Sequence, residues 1–310
     1  MKVFLTGASG FIGRFLAGKL VEDGHTVIAA VRSTSDISLI PEGCRLVTVD
    51  IMSEKELLPY LSDIDVIFHV AGAVKACSSQ EFDQINAGTT AAIVNAAEKS
   101  CPQALFIYMS SQAAAGPSGT KPITSYGRSK LLGEQVVTGF PRFIIVRPPA
   151  ALGQGDKPMQ SLYLWAKRGI SGVIGSGKTK FCIISVHDLC DLAALLVDCP
   201  DAEGKILQPS WPELISWDSF HSAMEKATGK KILKIRVPDL AVHMAGVIAE
   251  ITARITGLCP MVDREKAREL TAVSWLNLQH EVEEITGWKP KLSPEETIAR
   301  AMGSLKKQRS

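Results

Sequence analysis

Tyr126 and Lys130, in the run Tyr126-Gly127-Arg128-Ser129-Lys130, stand one helical turn apart. Side chains at i and i+4 share a helix face. A free tyrosine titrates near ~10 and is a poor base at neutral pH. A lysine ammonium beside it stabilises the phenolate and lowers that value. Such a pair suits proton transfer to or from an alcohol oxygen. With four Tyr in the chain, and lysine common in any protein, the pair alone decides little. Ser110-Ser111 closes an apolar run. A hydroxyl there can hydrogen-bond a carbonyl oxygen as charge develops on it; the plainer reading is a turn residue.

A second chemistry lies at the start of the chain. Thr6-Gly7-Ala8-Ser9-Gly10-Phe11-Ile12-Gly13 spaces its glycines as G-x-x-G-x-x-G. Between a strand and a helix, such a turn lets backbone approach a pyrophosphate, with amide N–H groups and the helix dipole holding the anion. Gly7, Ser9, Gly10, Phe11, Ile12 and Gly13 are therefore candidate cofactor contacts. The next apolar run ends Ala30-Val31-Arg32-Ser33. An NAD site normally has an acid there for the ribose 2′-OH. Arg32 instead offers a guanidinium to a 2′-phosphate, which favours NADP(H) and leaves NAD(H) open, since Asp36 is close by. The rival reading of Arg32 is a surface cation. Asp50-Ile51 follows the third run and faces either an adenine amino group or the next helix start, where Ser53 is the better cap.

These residues need a frame. Val3–Leu5, Thr26–Val31, Arg45–Val49, Val66–Val70, Leu105–Met109 and Phe143–Val146 are short apolar runs, the pattern of parallel strands covered on both faces. Between them 11–22, 54–61 and 81–99 follow a helical period. The alternation predicts an α/β, doubly wound parallel sheet of Rossmann type. After Arg147 come Pro148-Pro149, a glycine-rich stretch to Gly177, a strand over 181–186, a helix from His187, and a mainly helical remainder. The division expected is 1–150 with 181–203 as dinucleotide-binding domain, and 151–180 with 204–310 as a smaller substrate lobe.

Composition narrows the class. Lys+Arg 34 against Asp+Glu 32 gives no bulk attraction to nucleic acid. Seven Cys, an odd number with no C-x-x-C, argue for reduced thiols and against a disulfide framework or zinc ribbon. The six His show no metal-ligand spacing, so no metal is expected. No apolar leader and no membrane span are visible, and a cytoplasmic protein is expected. Gly172 to Thr179 satisfies the P-loop pattern, but a strand-like run follows instead of a helix, so ATP binding is not expected. Residues 240–255 form an apolar helix face, read as packing, the wall of a lipophilic pocket, or a membrane-surface face.

Together the motifs resemble the extended short-chain dehydrogenase/reductases, the NAD-dependent epimerase/dehydratase superfamily. The matching pieces, in family order, are TGASGFIG at 6–13, VDI at 49–51, HVAGAV at 69–74, NAGTT at 86–90, SS at 110–111, YGRSK at 126–130, RPPA at 147–150, VHDL at 186–189 and GWKP at 287–290. The resemblance implies Ser111 as catalytic serine, five residues before Gly116, Tyr126 as general acid/base, and Lys130 as ribose ligand and tuner of Tyr126. It places Ala71, Gly72 and Ala73 along the cofactor, Pro148 and Ala150 beside the nicotinamide, and Asn86 and Thr89 behind the site. It also implies dimerisation through the helices containing 81–99 and 126–137.

Departures refine it. The interval from Ser111 to Tyr126 is short, and Gln112-Ala113-Ala114 lack the acidic pair of the 4,6-dehydratases. Arg147-Pro148-Pro149-Ala150 and the Val31-Arg32 ending look more like the dihydroflavonol reductase and 3β-hydroxysteroid dehydrogenase branch than the sugar epimerases. The activity expected is hydride transfer between NADP(H) and a carbonyl or secondary alcohol of a small, lipophilic substrate. The alternatives are an NAD-dependent nucleotide-sugar epimerase and a non-catalytic NADP(H)-binding protein.

Overall fold

The computed structural model describes residues 1–303, apart from 118, 176, 257, 258, 261, 262, 273, 274 and 277. The apolar runs become strands: β1 (Lys2–Thr6), β2 (Thr26–Val31), β3 (Arg45–Thr48), β4 (Val66–His69), β5 (Leu105–Met109) and β6 (Phe143–Val146). Helices α1 (Phe11–Glu22) and α2 (Glu54–Leu61) connect the first of them. The crossover from β4 to β5 is compound: α3 (Ser79–Phe82), a π-helical turn (Asp83–Gly88) and α4 (Thr89–Ser100). The period over 81–99 gave one helix; the π turn inside it is the kind of insertion that clusters at functional sites. Helix α5 (Ser125–Val137) joins β5 to β6.

The main sheet has seven strands, these six and β11 (Ile206–Leu207), in the order β11-β6-β5-β4-β1-β2-β3, each pair parallel. One apolar cluster covers each face. Leu16 and Leu20 of α1 and Leu189 and Leu192 of a later helix pack on Val3, Leu5 and Ile107. Leu57, Ile93, Ala97 and Val137 pack on Phe4, Ile67 and Phe106. Burial on both faces is the reason these strands carry continuous apolar runs.

Beyond β6 the chain forms β7 (Ala150–Leu152), α6 (Lys157–Lys167), β8 (Ile170–Ile174), β9 (Lys180–Phe181), β10 (Ile183–Ser185) and α7 (Val186–Leu195). Gly172–Thr179 thus runs from β8 into β9, with no helix to make a P-loop. Strand β11 (Ile206–Leu207) returns to the main sheet beside β6, just past the expected boundary at 203. Two residues are too few to show a period, so no strand signal is legible there. The remainder holds β12 (Ile215–Ser216), α8 (Trp217–Thr228), β13 (Leu233–Val237), α9 (Asp239–Thr256), α10 (Arg264–Thr271), α11 (Gln279–Thr286) and α12 (Pro294–Gly303). Tyr163, Phe220, Met224, Ile298 and Met302 form its own core.

The cysteines need a correction. Cys77, in the loop after β4, and Cys259, after α9, form a disulfide across 182 positions of sequence. The expectation of reduced thiols throughout fails here, because spacing holds no trace of a contact made only when the C-terminal lobe folds back. Among the described residues, Cys77, Glu81 and Cys259 also make up the one cluster of three potential metal ligands, and two of the three are spent on this bond.

Candidate active site

The turn from β1 to α1 is shaped for close approach. Gly7 has φ +78°, and a Cβ on it would lie 2.6 Å from the Ala71 nitrogen. A Cβ on Gly13 would sit 2.0 Å from the Gly7 carbonyl oxygen. Neither position tolerates a side chain. Helix α1 begins at Gly10 with no capping side chain and no acid in its first turn. Its leading amides are therefore left for an anion at the positive end of the dipole, as a dinucleotide pyrophosphate requires. Arg14 was not foreseen. Its guanidinium donates to the Gln154 carbonyl and lies over the Phe15 ring, fastening α1 to the turn after β7. A cation in the first turn of an anion-binding helix was the available signal.

A directed chain of hydrogen bonds aligns the second wall. The Ala71 N–H donates to Thr6 Oγ1 at 3.2 Å, Thr6 Oγ1 pairs with His69 Nδ1 at 2.7 Å, and His69 Nε2 pairs with Thr90 Oγ1 at 3.0 Å. Thr90 spends its own proton on the Asn86 carbonyl at 2.6 Å. It must therefore accept from His69, so Nε2 carries the proton and Nδ1 accepts from Thr6. Burial holds His69 neutral, with its pKa pulled down to about 3. Asn86 carries the chain onward from the π turn. Its Oδ1 accepts from the Ala73 nitrogen at 2.7 Å, and its Nδ2 donates to the Ala73 carbonyl and to Ser129 Oγ at 3.1 and 2.8 Å. The 71–73 loop and α5 are thus held by one amide.

Helix α5 begins with Thr124 as cap, accepting from the Gly127 nitrogen. The Glu265 carboxylate, from α10, accepts from both the Ser125 nitrogen and Oγ. Ser111 lies close enough to the Tyr126 phenol to oppose the rise of its pKa, and the Tyr126 ring lies 5.9 Å from that of Phe82. Ser111 Oγ accepts from the Ala113 nitrogen at 3.2 Å. Lys130 is buried, with Nζ 2.7 Å from the Met109 carbonyl and 4.3 Å from the Tyr108 ring centroid. A Cβ on Gly72 would stand 3.6 Å from the same Nζ. Ser111, Tyr126, Lys130 and Gly72 therefore converge at the carboxyl ends of β4 and β5, the edge where open α/β sheets bind ligands.

The electrostatics differ from the pairing expected. Burial pushes the Tyr126 phenol up to about 12, with the Glu269 charge adding to the rise and Ser111 opposing it. Lys130 does not lower it in this state, because burial pulls the amine itself down to about 7 and halves its charge near neutrality. This has a stability signature. Between about 7 and 10.5 the unfolded chain binds a proton at Lys130 that the native chain does not, so stability rises with pH through that window. The stability difference between the wild type and Lys130→Met, measured by urea unfolding, should shift in favour of the wild type from the lower to the upper end. A pH-independent difference would refute the buried, near-neutral amine.

Behind the site, Glu134 is buried and accepts two bonds from Arg147, at 2.8 and 2.6 Å, and one from Ser110 Oγ. This joins α5 to the end of β6. Sequence reading passed over Glu134, though it stands one turn beyond Lys130 on the same helix. Gln112 donates its side-chain amide to the Leu276 carbonyl, so the C-terminal lobe closes over the 111–114 turn.

Other foreseen residues sit at the margin. Arg32 ends β2 and is exposed; its backbone N–H bonds to Ser35 Oγ. Asp36 is engaged by Ser38. Asp50 Oδ1 accepts from the Met52 nitrogen, while Ser53 caps α2; Ile51 lies in the same turn. Pro148 accepts from the Gln112 nitrogen, and Ala150 opens β7. A depression of about 490 Å³ lined by Asp63, Gln103 and Arg142 lies at the amino ends of the strands, the opposite edge of the sheet.

This fold and this turn define a dinucleotide-binding oxidoreductase frame, and residues 3–208 match the NAD dependent epimerase/dehydratase family. The chain belongs to that family and is an enzyme of its extended short-chain dehydrogenase/reductase type. It is 29% identical to a ceramide reductase of Caulobacter vibrioides over 280 residues, 88% of this chain and 85% of that one. It is 27% identical to a 3-beta-hydroxysteroid dehydrogenase of Mycolicibacterium neoaurum, over 79% of this chain and 75% of the relative. In structure it is similar to UDP-glucose 4-epimerase from Thermotoga maritima, with TM-score 0.81 at 16% identity and both chains covered in full. That likeness speaks for the fold alone.

Proposed function

We propose that this enzyme is an NADP(H)-dependent reductase of a carbonyl group on a small lipophilic molecule, working as a secondary-alcohol dehydrogenase in reverse. The observation that carries the reading is the convergence of the Tyr126 phenol and Ser111 with buried Lys130 and Gly72. A reduced nicotinamide dinucleotide would supply the hydride. The residues that would hold it are Gly7, Gly10 and Gly13 with the α1 amides, the 71–73 loop, Lys130 and Pro148. Ser111 and Tyr126 bind the carbonyl oxygen. Tyr126, protonated at neutral pH, passes its proton to that oxygen as the adjacent carbon gains the hydride. Lys130, held close to neutrality, is suited to return a proton to the phenolate. The products are one secondary alcohol and the oxidised dinucleotide.

Two features support the finer points. Asp36 is occupied by Ser38, which leaves Arg32 as the charged group at the end of β2 and favours a 2′-phosphate. The names of the relatives, a ceramide reductase and a hydroxysteroid dehydrogenase, support a lipophilic substrate. The test is NADPH oxidation with a panel of lipophilic ketones, repeated with NADH and with Arg32→Ala. The wild type is expected to prefer NADPH, and Arg32→Ala to cut that preference by about tenfold or more, as loss of a charge-assisted contact does. An unchanged ratio would remove Arg32 from the cofactor site. Retained NAD with interconversion of a UDP-sugar, and no ketone turnover, would replace the reading with an epimerase.

A further inference from the structure

Helix α9 is built the reverse of an ordinary surface helix. Leu240, Met244, Ile248, Ile251 and Ile255 fall within an arc of roughly 80° at ~100° per residue. All five are exposed, Leu240 by 73% and Ile255 by 81%. The opposite face does the packing. Val242 is buried, Gly246 lies against the backbone of Asp263 and Arg264, and His243 reaches Thr271 of α10. Small residues thus meet the protein while large aliphatic ones face outward along ~22 Å of helix. Single exposed aliphatics are ordinary; an aligned row of five marks an interaction surface.

The chain leading into α9 is basic. Residues 226–238 hold Lys226, Lys230, Lys231, Lys234 and Arg236 and no Asp or Glu. On β13 the exposed Leu233 and Ile235 line one face of the strand and Lys234, paired with Asp218 of α8, and Arg236 the other, so the strand carries both apolar and cationic side chains on its two faces. We propose that α9 and β13 form a docking face for an anionic lipid bilayer, with α9 lying in the plane of the headgroup–acyl boundary. Aliphatic burial and attraction of Lys and Arg to acidic headgroups act together there. Among the described residues no helix is long and apolar enough to cross a membrane, so this contact is in-plane. A second copy of the chain fits this face less well. The acids of α9 are Asp239 and Glu250; Glu250 is already paired with Arg264 and Asp218 of α8 with Lys234, leaving few acids in these elements to answer the basic run 226–238.

Helix α10, which packs on α9, holds the start of the catalytic helix through Glu265. Docking would therefore bring the lobe over the site to the lipid surface. Delivery of a lipophilic ketone by this route rests on the reduction proposed above; the docking face does not.

The test is flotation of the full chain with vesicles of phosphatidylcholine alone or mixed with phosphatidylglycerol. The chain is expected to rise with the mixed vesicles and far less with the neutral ones. The double substitution Ile248→Glu/Ile255→Glu should cut that partitioning by about tenfold or more, with turnover of a water-soluble ketone unchanged. Lys234→Glu/Arg236→Glu should weaken the anionic preference specifically. A chain that stays down with both vesicle types at low salt overturns the proposal. So does a dimer in sedimentation that Ile248→Glu/Ile255→Glu dissolves, since the stripe is then an interface between copies. Absent ketone turnover with flotation intact would count against the reductase and leave the docking face standing.

Discussion

Tyr126→Phe should lower kcat on any ketone the enzyme reduces by about 10²–10⁴, the range for loss of a positioned acid–base group. The substitution removes one oxygen and little else, because the ring keeps its place beside Phe82 and Thr124 still caps the helix. NADPH affinity, read by fluorescence titration, should stay within about twofold, since the phosphate turn and Lys130 are untouched. The pH dependence is a second readout. With the phenol protonated up to about 12, reduction by the wild type should not fall through loss of the Tyr126 proton between pH 7 and the top of the usual assay range. Full turnover by Tyr126→Phe would remove this residue from the chemistry and the proposed mechanism with it.

The largest stability effect is expected behind the site. Glu134→Gln should destabilise the chain by about 3–5 kcal/mol, because it strands the Arg147 charge in a poorly solvated place. The Glu134 side chain is 3% exposed and that of Arg147 13%, so water cannot replace the lost partner. The double variant Glu134→Gln/Arg147→Met should recover most of the loss, since the cost lies in the orphaned charge and not in the missing attraction. Urea unfolding of the two single variants and the double gives the coupling. Additive losses would mean that the pair is solvated and the argument from burial wrong.

The frame of this enzyme was legible because its signals are local. A strand covered on both faces has to be apolar throughout, so six runs announced six strands and the seventh, two residues long, did not. The glycines at 7 and 13 could be read because only backbone fits where they stand. The Tyr126–Lys130 pair was visible as an i, i+4 spacing, but its charge state was not. Burial sets that state, and burial comes from Tyr108, Met109 and the C-terminal lobe, all distant in sequence. For the same reason Glu134, Glu265 and the reach of Gln112 to Leu276 were hidden: each is a contact between segments that the spacing of residues cannot join. The π turn at 83–88 inserts one residue per turn without changing composition, so a 3.6-residue period passed through it unnoticed.

The Cys77–Cys259 bond has a topological consequence. Everything between the two sulfurs becomes a closed loop carrying Ser111, Tyr126 and Lys130, while Gly7, Gly10 and Gly13 hang outside on the amino-terminal side. When oxidised, the denatured chain is a lasso and not a thread, and the three side chains proposed to handle the proton stay confined to the noose even after every native contact has gone.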